Sequence, residues 1–248
     1  MKRIIRGIVL LVVPALVGCG TSGTNPLRPR EADFRVVAPN GTPFNVVVFQ
    51  ASNGPEHHPP SDDLTAPHTF TFLNAGSSTP VNPGVPPDPV VHAIFQGDPA
   101  AADDVNIELR VGFVDNPQSL IAQATIPAGS DAITPIGTQG TPEPDNSLPE
   151  VRIEVTAEDP QHLPAVDVQF SANIGDAFST FLPCGDNVIC HTPTTFYFEN
   201  ASELISAVIG KLTQDDRDIL INLYVNNQLR DSSRATNNDA NARVRADL

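Results

Sequence analysis

The amino-acid sequence predicts an all-β protein made of two tandem β-sandwiches that arose by internal duplication. Three observations lead to this prediction: branched residues between frequent chain breakers, sequence blocks that occur twice, and alternation of apolar and polar residues within the blocks. The chain has 248 residues, with 25 Pro, 16 Gly and no Trp. Breakers at this frequency favour short strands over long helices.

The repeated blocks come in the same order in each half of the chain. The matching pairs are 43–51 with 164–172, 67–75 with 193–201, and 91–95 with 205–209. The first copy has the longer connection between its second and third blocks, and the Pro-rich stretch 76–89 provides the extra residues. Pro cannot donate a hydrogen bond to a sheet ladder, so this insertion belongs in a loop.

Alternation within the blocks predicts strands that have one face in a core. Phe70 and Phe72 flank Thr71, and longer alternating runs cover 105–111 and 219–225. A period of two places successive side chains on opposite faces of a sheet. Further strands are expected at 34–37, 120–126, 151–155 and 243–248, with a hairpin turn at Asn226-Asn227. Six or seven strands in each copy are typical of an immunoglobulin-like β-sandwich.

One segment has a helical alternative. Residues 201–212 (ASELISAVIGKL) carry apolar residues at a spacing that also fits a helix, with Asn200 or Ser202 as its cap. The counterpart in the first copy, 90–96, follows prolines and alternates as a strand does. The strand interpretation is therefore favoured for both copies.

The first residues of the chain have the pattern of an export signal. Lys2, Arg3 and Arg6 precede an apolar run of ten residues, 8–17, which is too short to span a bilayer. The run ends in Leu16-Val17-Gly18-Cys19, which resembles the lipobox of bacterial lipoproteins. The alternative is an ordinary secretory signal followed by a chance cysteine.

The resemblance to bacterial lipoproteins implies a lipid anchor on Cys19. It implies transfer of diacylglycerol to the Cys19 thiol, cleavage before this residue, and acylation of the new amino terminus. Two or more acyl chains make membrane attachment stable. We therefore expect a protein of the cell envelope that is held to a membrane by lipid. In a host with two membranes, Gly20 after the cysteine implies the outer membrane.

These features divide the chain into five segments. They are a lipoprotein signal peptide at 1–18, a flexible tether at 19–32, the first sandwich at 33–128, a linker at 129–149 and the second sandwich at 150–248. The tether is small, polar and Pro-containing, which is typical of flexible spacers. The linker is placed where Pro, Gly and acidic residues are frequent.

The charge of the chain argues against nucleic-acid binding. The formal net charge is −15, from 14 Lys and Arg against 29 Asp and Glu. Loss of Lys2, Arg3 and Arg6 with the signal would make the mature protein more acidic still. Phosphate backbones are bound by clustered Lys and Arg, which this sequence lacks.

The two remaining cysteines, Cys184 and Cys190, are expected to form a disulfide. Pairs of cysteines in an exported protein usually do so. Free thiols and a metal site that includes His191 are the alternatives, but no second cysteine pair supports a metal.

Two groups of polar residues could hold a metal ion. The first is the loop with Glu56, His57, His58, Asp62 and Asp63, whose residue types suit a transition metal. The second is the pair of acidic turns at Asp103-Asp104 and Asp215-Asp216-Asp218, which could bind calcium. Solvated loops and turn-capping carboxylates are the favoured interpretations, so we expect no metal.

No catalytic motif is present, and neither His162 nor His191 has a local partner for a triad. We therefore expect neither an enzyme nor a cofactor. The expected function is a binding or structural module whose loops at 76–89 and 175–192 bind an envelope protein, a polymer or a small ligand. An accessory subunit of an envelope transporter or assembly complex and a secreted hydrolase are the alternatives.

Overall fold

The computed structural model describes most of the chain after the tether. The described residues are 30–60, 64–74, 90–113, 119–138, 140, 142–158, 165–174, 177–182, 190–199, 201–212, 217–237 and 240–248. The lipobox, including Cys19, lies outside them. Among the described residues, no helix is long and apolar enough to cross a membrane.

The described residues form strands and their connections, which confirms the all-β prediction. In the first half these are β1 (Arg30–Val37), β2 (Thr42–Ala51), β3 (Thr65–Ala66), β4 (His68–Asn74), β5 (Val91–Gly97), β6 (Val105–Phe113), β7 (Ser119–Ile126) and β8 (Ile133–Gly137). In the second half they are β9 (Val151–Ala157), β10 (Ala165–Ile174), β11 (Ala177–Phe181), β12 (Cys190–His191), β13 (Thr194–Phe198), β14 (Ala201–Lys211), β15 (Ile219–Val225), β16 (Gln228–Ala235) and β17 (Asn241–Asp247).

One large sheet runs through both halves. Its eight strands lie in the order β16-β15-β9-β13-β4-β1-β6-β7. Two smaller sheets accompany it: β3-β2-β5-β8 from the first half, and β11-β10-β14-β17 with β12 beside β10 from the second half. The two halves meet where β4 and β13 pair in parallel.

The parallel pairing of β4 and β13 places the two small sheets on opposite faces of the large sheet. Phe72 lies opposite Tyr197, and both side chains belong to the core of the first half. Leu73 lies opposite Phe198, and both belong to the core of the second half. Neighbours along a strand point to opposite faces. Each half is therefore a two-layer sandwich, covered from a different side.

Aromatic side chains fill both cores. In the first half, the Phe34 ring of β1 lies 5.3 Å from Phe49 of β2. In the second half, the Phe170 ring of β10 lies 4.9 Å from Phe196 and Phe198 of β13. Burial of one such ring stabilises a fold by about 1.5–3 kcal/mol.

The cores are also interlocked at the junction. Tyr197 comes from the second half but is buried in the first core, and Leu73 comes from the first half but is buried in the second core. Each half therefore completes the core of the other, and the boundary between them is a hydrogen-bonded part of one sheet.

The strand pairings of the first half recur in the second half. In the large sheet, β1 lies between β4 and β6, and its counterpart β9 lies between β13 and β15. In the small sheets, β2 pairs with β3 and β5, and its counterpart β10 pairs with β12 and β14. The outer pairs β6–β7 and β5–β8 correspond to β15–β16 and β14–β17. Within the described residues, β11 has no counterpart in the first half.

The observed strands differ from the expected ones in three respects. The described residues contain eight strands in the first half and nine in the second, where six or seven were expected. β8 lies inside the predicted linker 129–149 and completes the small sheet of the first half. β1 begins at Arg30, inside the predicted tether, and pairs with β4 and β6 from that residue onward.

One missed strand has little buried surface. β8 buries only Ile136, so the alternation of apolar and polar residues is weak there. The segment with the helical alternative forms β14, so the strand interpretation is confirmed.

A candidate ligand-binding cleft between the two halves

A cavity of about 290 Å³ opens at the junction of the two halves. Phe70 and His68 come from β4 of the first half, and Thr195 and Glu154 come from β13 and β9 of the second half. We call this cavity the junction cleft. Its volume is at the lower end of the range of about 300–1,000 Å³ that is usual for small-molecule sites.

The register of the large sheet explains why these residues meet. Phe70 lies opposite Thr195 on β13, and Thr195 lies opposite Glu154 on β9. The three side chains therefore form a row across the sheet on the face that the small sheet of the first half covers. Phe70 is buried beneath that sheet, whereas Glu154 is only partly covered. The cleft lies at the edge of the small sheet of the first half, where the large sheet is no longer fully covered.

Proline residues form much of the wall. Pro59, Pro60 and Pro67 come from the segment between β2 and β4, and Pro193 precedes β13. The peptide bonds before Pro67 and Pro193 are both cis. These four prolines present apolar rings to the cleft and contribute no backbone N–H.

His68 is an uncharged aromatic group in this cleft. Its ring stacks on Phe70 with a centroid distance of 4.4 Å, and its Nε2 lies 3.1 Å from the Thr195 hydroxyl oxygen. Burial lowers the pKa of His68 from 6.5 to about 4. The imidazole is therefore neutral at physiological pH.

Glu154 belongs to a charged group beside the cleft. Its Oε1 lies 3.3 Å from Nε of Arg152, whose side chain is 3% exposed. The guanidinium carbon of Arg152 lies 4.4 Å from the centre of the Tyr224 ring. Burial, followed by the charge and hydrogen bond of Glu154, raises the pKa of Tyr224.

One buried donor of this group has no hydrogen-bond partner among the described residues. It is Arg152 Nη1, whereas Arg152 Nε meets Glu154 as an ion pair. Burial also raises the pKa of Tyr197, and the charge of Arg152 opposes this rise. Buried donors of this kind usually bind a water molecule or a ligand.

A second polar group lies deeper in the junction. His57 and Glu199 have fully buried side chains, and His57 Nε2 lies 3.0 Å from Glu199 Oε1. Glu150 is the nearest further carboxylate, with its Oε2 4.0 Å from His57 Nδ1. Burial raises the pKa of Glu199, and the hydrogen bond and charge of His57 oppose this rise.

The chain segment after β2 brings His57 into this position. The segment turns back, and His57 and Phe49 exchange two backbone hydrogen bonds of 2.9 Å. Gly54 is needed within this turn, because a Cβ there would overlap Glu199 Oε2 and would lie 2.9 Å from the carbonyl oxygen of Ala51. His57 thereby reaches Glu199 at the end of β13.

The predicted transition-metal loop is divided by the fold. His57 is buried against Glu199. His58 is exposed, and its Nε2 lies 3.4 Å from Glu56 Oε2. Asp62 and Asp63 lie outside the described residues. Across the described ranges, no group of three or more His, Cys, Asp or Glu side chains could hold a metal ion.

The acidic turns make contacts with distant parts of the chain where they are described. Asp104 accepts a hydrogen bond of 2.9 Å from the Ala128 N–H, and Asp218 pairs with Arg234 at 3.1 Å. Asp103 is exposed, and Asp215 and Asp216 lie outside the described residues. Neither contact is a cap within its own turn, so the turn-capping interpretation stays a prediction.

The remaining predicted residues are only partly described. Cys190 is buried on β12, and its neighbour His191 is exposed. Cys184 and His162 lie outside the described residues, as do 76–89 and half of 175–192. The disulfide between Cys184 and Cys190 stays a prediction.

Sequence reasoning did not identify Glu154, His68 or Glu199 as site residues. One signal was available for Glu199. The repeated blocks align it with Leu73, so a carboxylate replaces a core leucine at the same position. A polar residue at a position with an apolar equivalent indicates a buried polar group.

Comparison with protein families, with curated proteins and with solved structures finds no match for this chain. The junction cleft is therefore interpreted from its own geometry.

Proposed function

We propose that this chain is a lipid-anchored cell-envelope protein that binds a ligand in the junction cleft without catalysis. The observation that carries the proposal is the cavity of about 290 Å³ whose lining comes from both halves. Sites at boundaries between structural units are common, because two surfaces together enclose more of a ligand than one surface does.

We further propose that the two halves are immunoglobulin-like sandwiches derived by duplication. The recurrence of the strand pairings and the repeated sequence blocks support this origin. The unit that was duplicated would then have acquired different side chains at the junction, with Glu199 in one copy and Leu73 in the other.

The anchor would orient the cleft away from the membrane. Cys19 lies eleven positions before Arg30, where β1 begins. The other end of β1 carries Val36, which lies opposite His68 of the cleft. At about 3.3 Å per residue, the six steps from Arg30 to Val36 separate these residues by about 20 Å. The cleft would therefore face a soluble or extended partner.

A non-enzymatic role is consistent with the placement of the buried pair. His57 and Glu199 are the groups best suited to exchange a proton, and both are fully buried. A substrate in the cleft would not reach them without a rearrangement of the first core.

The anchor is tested by replacement of Cys19. We expect the wild-type protein to incorporate labelled palmitate and to sediment with membranes, and Cys19→Ser to do neither. Ser22→Ala in the tether serves as the matched control and should behave as the wild type does. Equal labelling and equal membrane association of Cys19→Ser would refute the lipid anchor.

An exposed edge strand favours a second candidate, the accessory subunit of an envelope complex. β7 is the outermost strand of the large sheet at the first half, and its Leu120 and Ile121 are 47% and 52% exposed. Exposed apolar edge strands pair readily with other chains. A photo-cross-linker at Ile121 should capture a stoichiometric membrane partner. Recovery of an uncross-linked monomer alone would argue against this candidate.

A further inference from the structure

We infer that the junction cleft binds a small organic cation with a flat apolar ring, that is, an aromatic amine. This inference rests on the proposed function, in which the cleft is the binding site. It adds the chemical class of the ligand, which follows from the charge, the shape and the hydrogen-bonding groups of the lining.

The charge of the cleft favours a cation. Glu154 is the only charged side chain among the described residues of the lining, and 23% of it is exposed. Arg152 contacts its Oε1, but Arg152 is buried and does not line the cavity. A carboxylate has further acceptor positions, which a protonated amine can occupy. The net charge of −15 raises the local concentration of cations and disfavours anions.

The shape of the cleft favours a flat ring. Phe70 stacks beneath His68 at 4.4 Å, and His68 itself lines the cavity. A ligand ring that stacks on His68 would continue this pair of rings. The four wall prolines are apolar and rigid, so they would enclose the ring at little cost in entropy.

The neutral state of His68 is compatible with a cation. Its pKa of about 4 leaves the imidazole uncharged at pH 7. An uncharged aromatic face attracts a cation, whereas an imidazolium would repel it. The hydroxyl of Thr156, two residues after Glu154 on the same face of β9, provides a further acceptor for the amine.

The test compares three probes of similar size on the full chain in detergent. They are 2-phenylethylamine, 2-phenylethanol and phenylacetate, titrated at pH 7 by isothermal calorimetry. We expect the amine to bind at least about tenfold more tightly than the alcohol, and the carboxylate to bind least, because a charge-assisted hydrogen bond is involved. If the alcohol or the carboxylate bound more tightly than the amine, the inferred ligand class would be wrong. The cleft would still be the binding site.

Two variants assign the binding to the cleft. Glu154→Gln should lower the affinity for the amine by about tenfold, whereas Glu108→Gln should change this affinity by less than about twofold. Glu108 is a matched control, because it pairs with Arg110 on the same sheet at 2.8 Å and lies outside the cleft. Thermal unfolding shows whether each variant is folded.

Thr156→Phe provides an independent variant, because Thr156 lines the cleft on the face of β9 that carries Glu154, so a phenyl group there would enter the cleft. It should abolish amine binding with Glu154 intact. Unchanged binding in Thr156→Phe, or no binding of any probe to the wild type, would overturn both the inference and the cleft as the site. Neither result would bear on membrane attachment through Cys19, which the Cys19→Ser variant tests separately.

Discussion

The buried pair of His57 and Glu199 allows a sharp test of how the two halves are joined. The two side chains are fully buried and are 3.0 Å apart. We consider Glu199→Leu, which introduces the residue that the first copy has at the equivalent position, together with His57→Leu and the double variant. Glu108→Leu serves as the control, because Glu108 is a partly exposed member of an ion pair.

The structure predicts that each single replacement is far more harmful than the double one. Removal of one partner leaves the other buried without its hydrogen bond, which lowers the free energy of unfolding by about 3–5 kcal/mol. The double variant removes both polar groups. It also removes Glu199 Oε2 and His57 Nδ1, which have no hydrogen-bond partner among the described residues. Buried unpaired atoms of this kind cost about 1–3 kcal/mol each.

We therefore expect the double variant to be within about 1 kcal/mol of the wild type, or more stable. The control should lose less than about 1 kcal/mol, as surface ion pairs do. Urea unfolding followed by circular dichroism gives the free energies, and the double-mutant cycle gives the coupling. Single variants that each lose less than about 1 kcal/mol, or a double variant that loses the sum of both, would refute the reasoning.

The pH dependence of the single variant His57→Leu adds a second readout. Burial raises the pKa of Glu199 above its ordinary value of 4.5. A raised folded-state pKa contributes stability that is fully present below 4.5 and is lost as pH rises through the raised value. His57→Leu removes the group that opposes this rise. The variant should therefore regain stability on acidification, and a flat profile would contradict the assignment.

Three further predictions concern other parts of the molecule. Lowering the pH from 7 to 5 should destabilise the wild type by about 2 kcal/mol more than His68→Gln in urea unfolding. The reason is that a folded-state pKa of about 4, against 6.5, gives stability that is present above pH 6.5 and is lost as the pH falls towards 4. Equal pH dependence of the two proteins would contradict this prediction. Gly54→Ala should lower the free energy of unfolding by about 3 kcal/mol, because the new Cβ would overlap Glu199 Oε2. Gly41→Ala should lower it by about 1 kcal/mol, because Gly41 has a φ of +87° but open space around it. Thermal unfolding measures both losses. Equal losses would show that backbone conformation alone decides both. Cys184→Ser should lower the free energy of unfolding by about 2 kcal/mol, and reduction of the wild type should have the same effect. Alkylation followed by non-reducing mass spectrometry should find neither Cys184 nor Cys190 modified in the oxidised protein. Alkylation of both would exclude the disulfide.

The sequence determined those parts of the fold in which a strand has one face in a core. β6 and β15 were predictable because burial imposes a strict alternation on their apolar residues. The repeated blocks identified β2, β4 and β5 and their counterparts in the second half. β8 was not predictable in this way, because it is short and buries only Ile136.

Only the tertiary structure decided how the halves meet and where the cleft lies. The parallel pairing of β4 with β13 joins segments that are more than 100 residues apart, and no local pattern in either strand specifies its neighbour. That pairing buries Tyr197 in the first core, and it places Glu154 beside Thr195 and Phe70. His57 and His58 are adjacent in the sequence, yet one is buried and the other is exposed. The physical reason is that alternation reports which face of a strand is buried, whereas the identity of a neighbouring strand depends on contacts between distant residues.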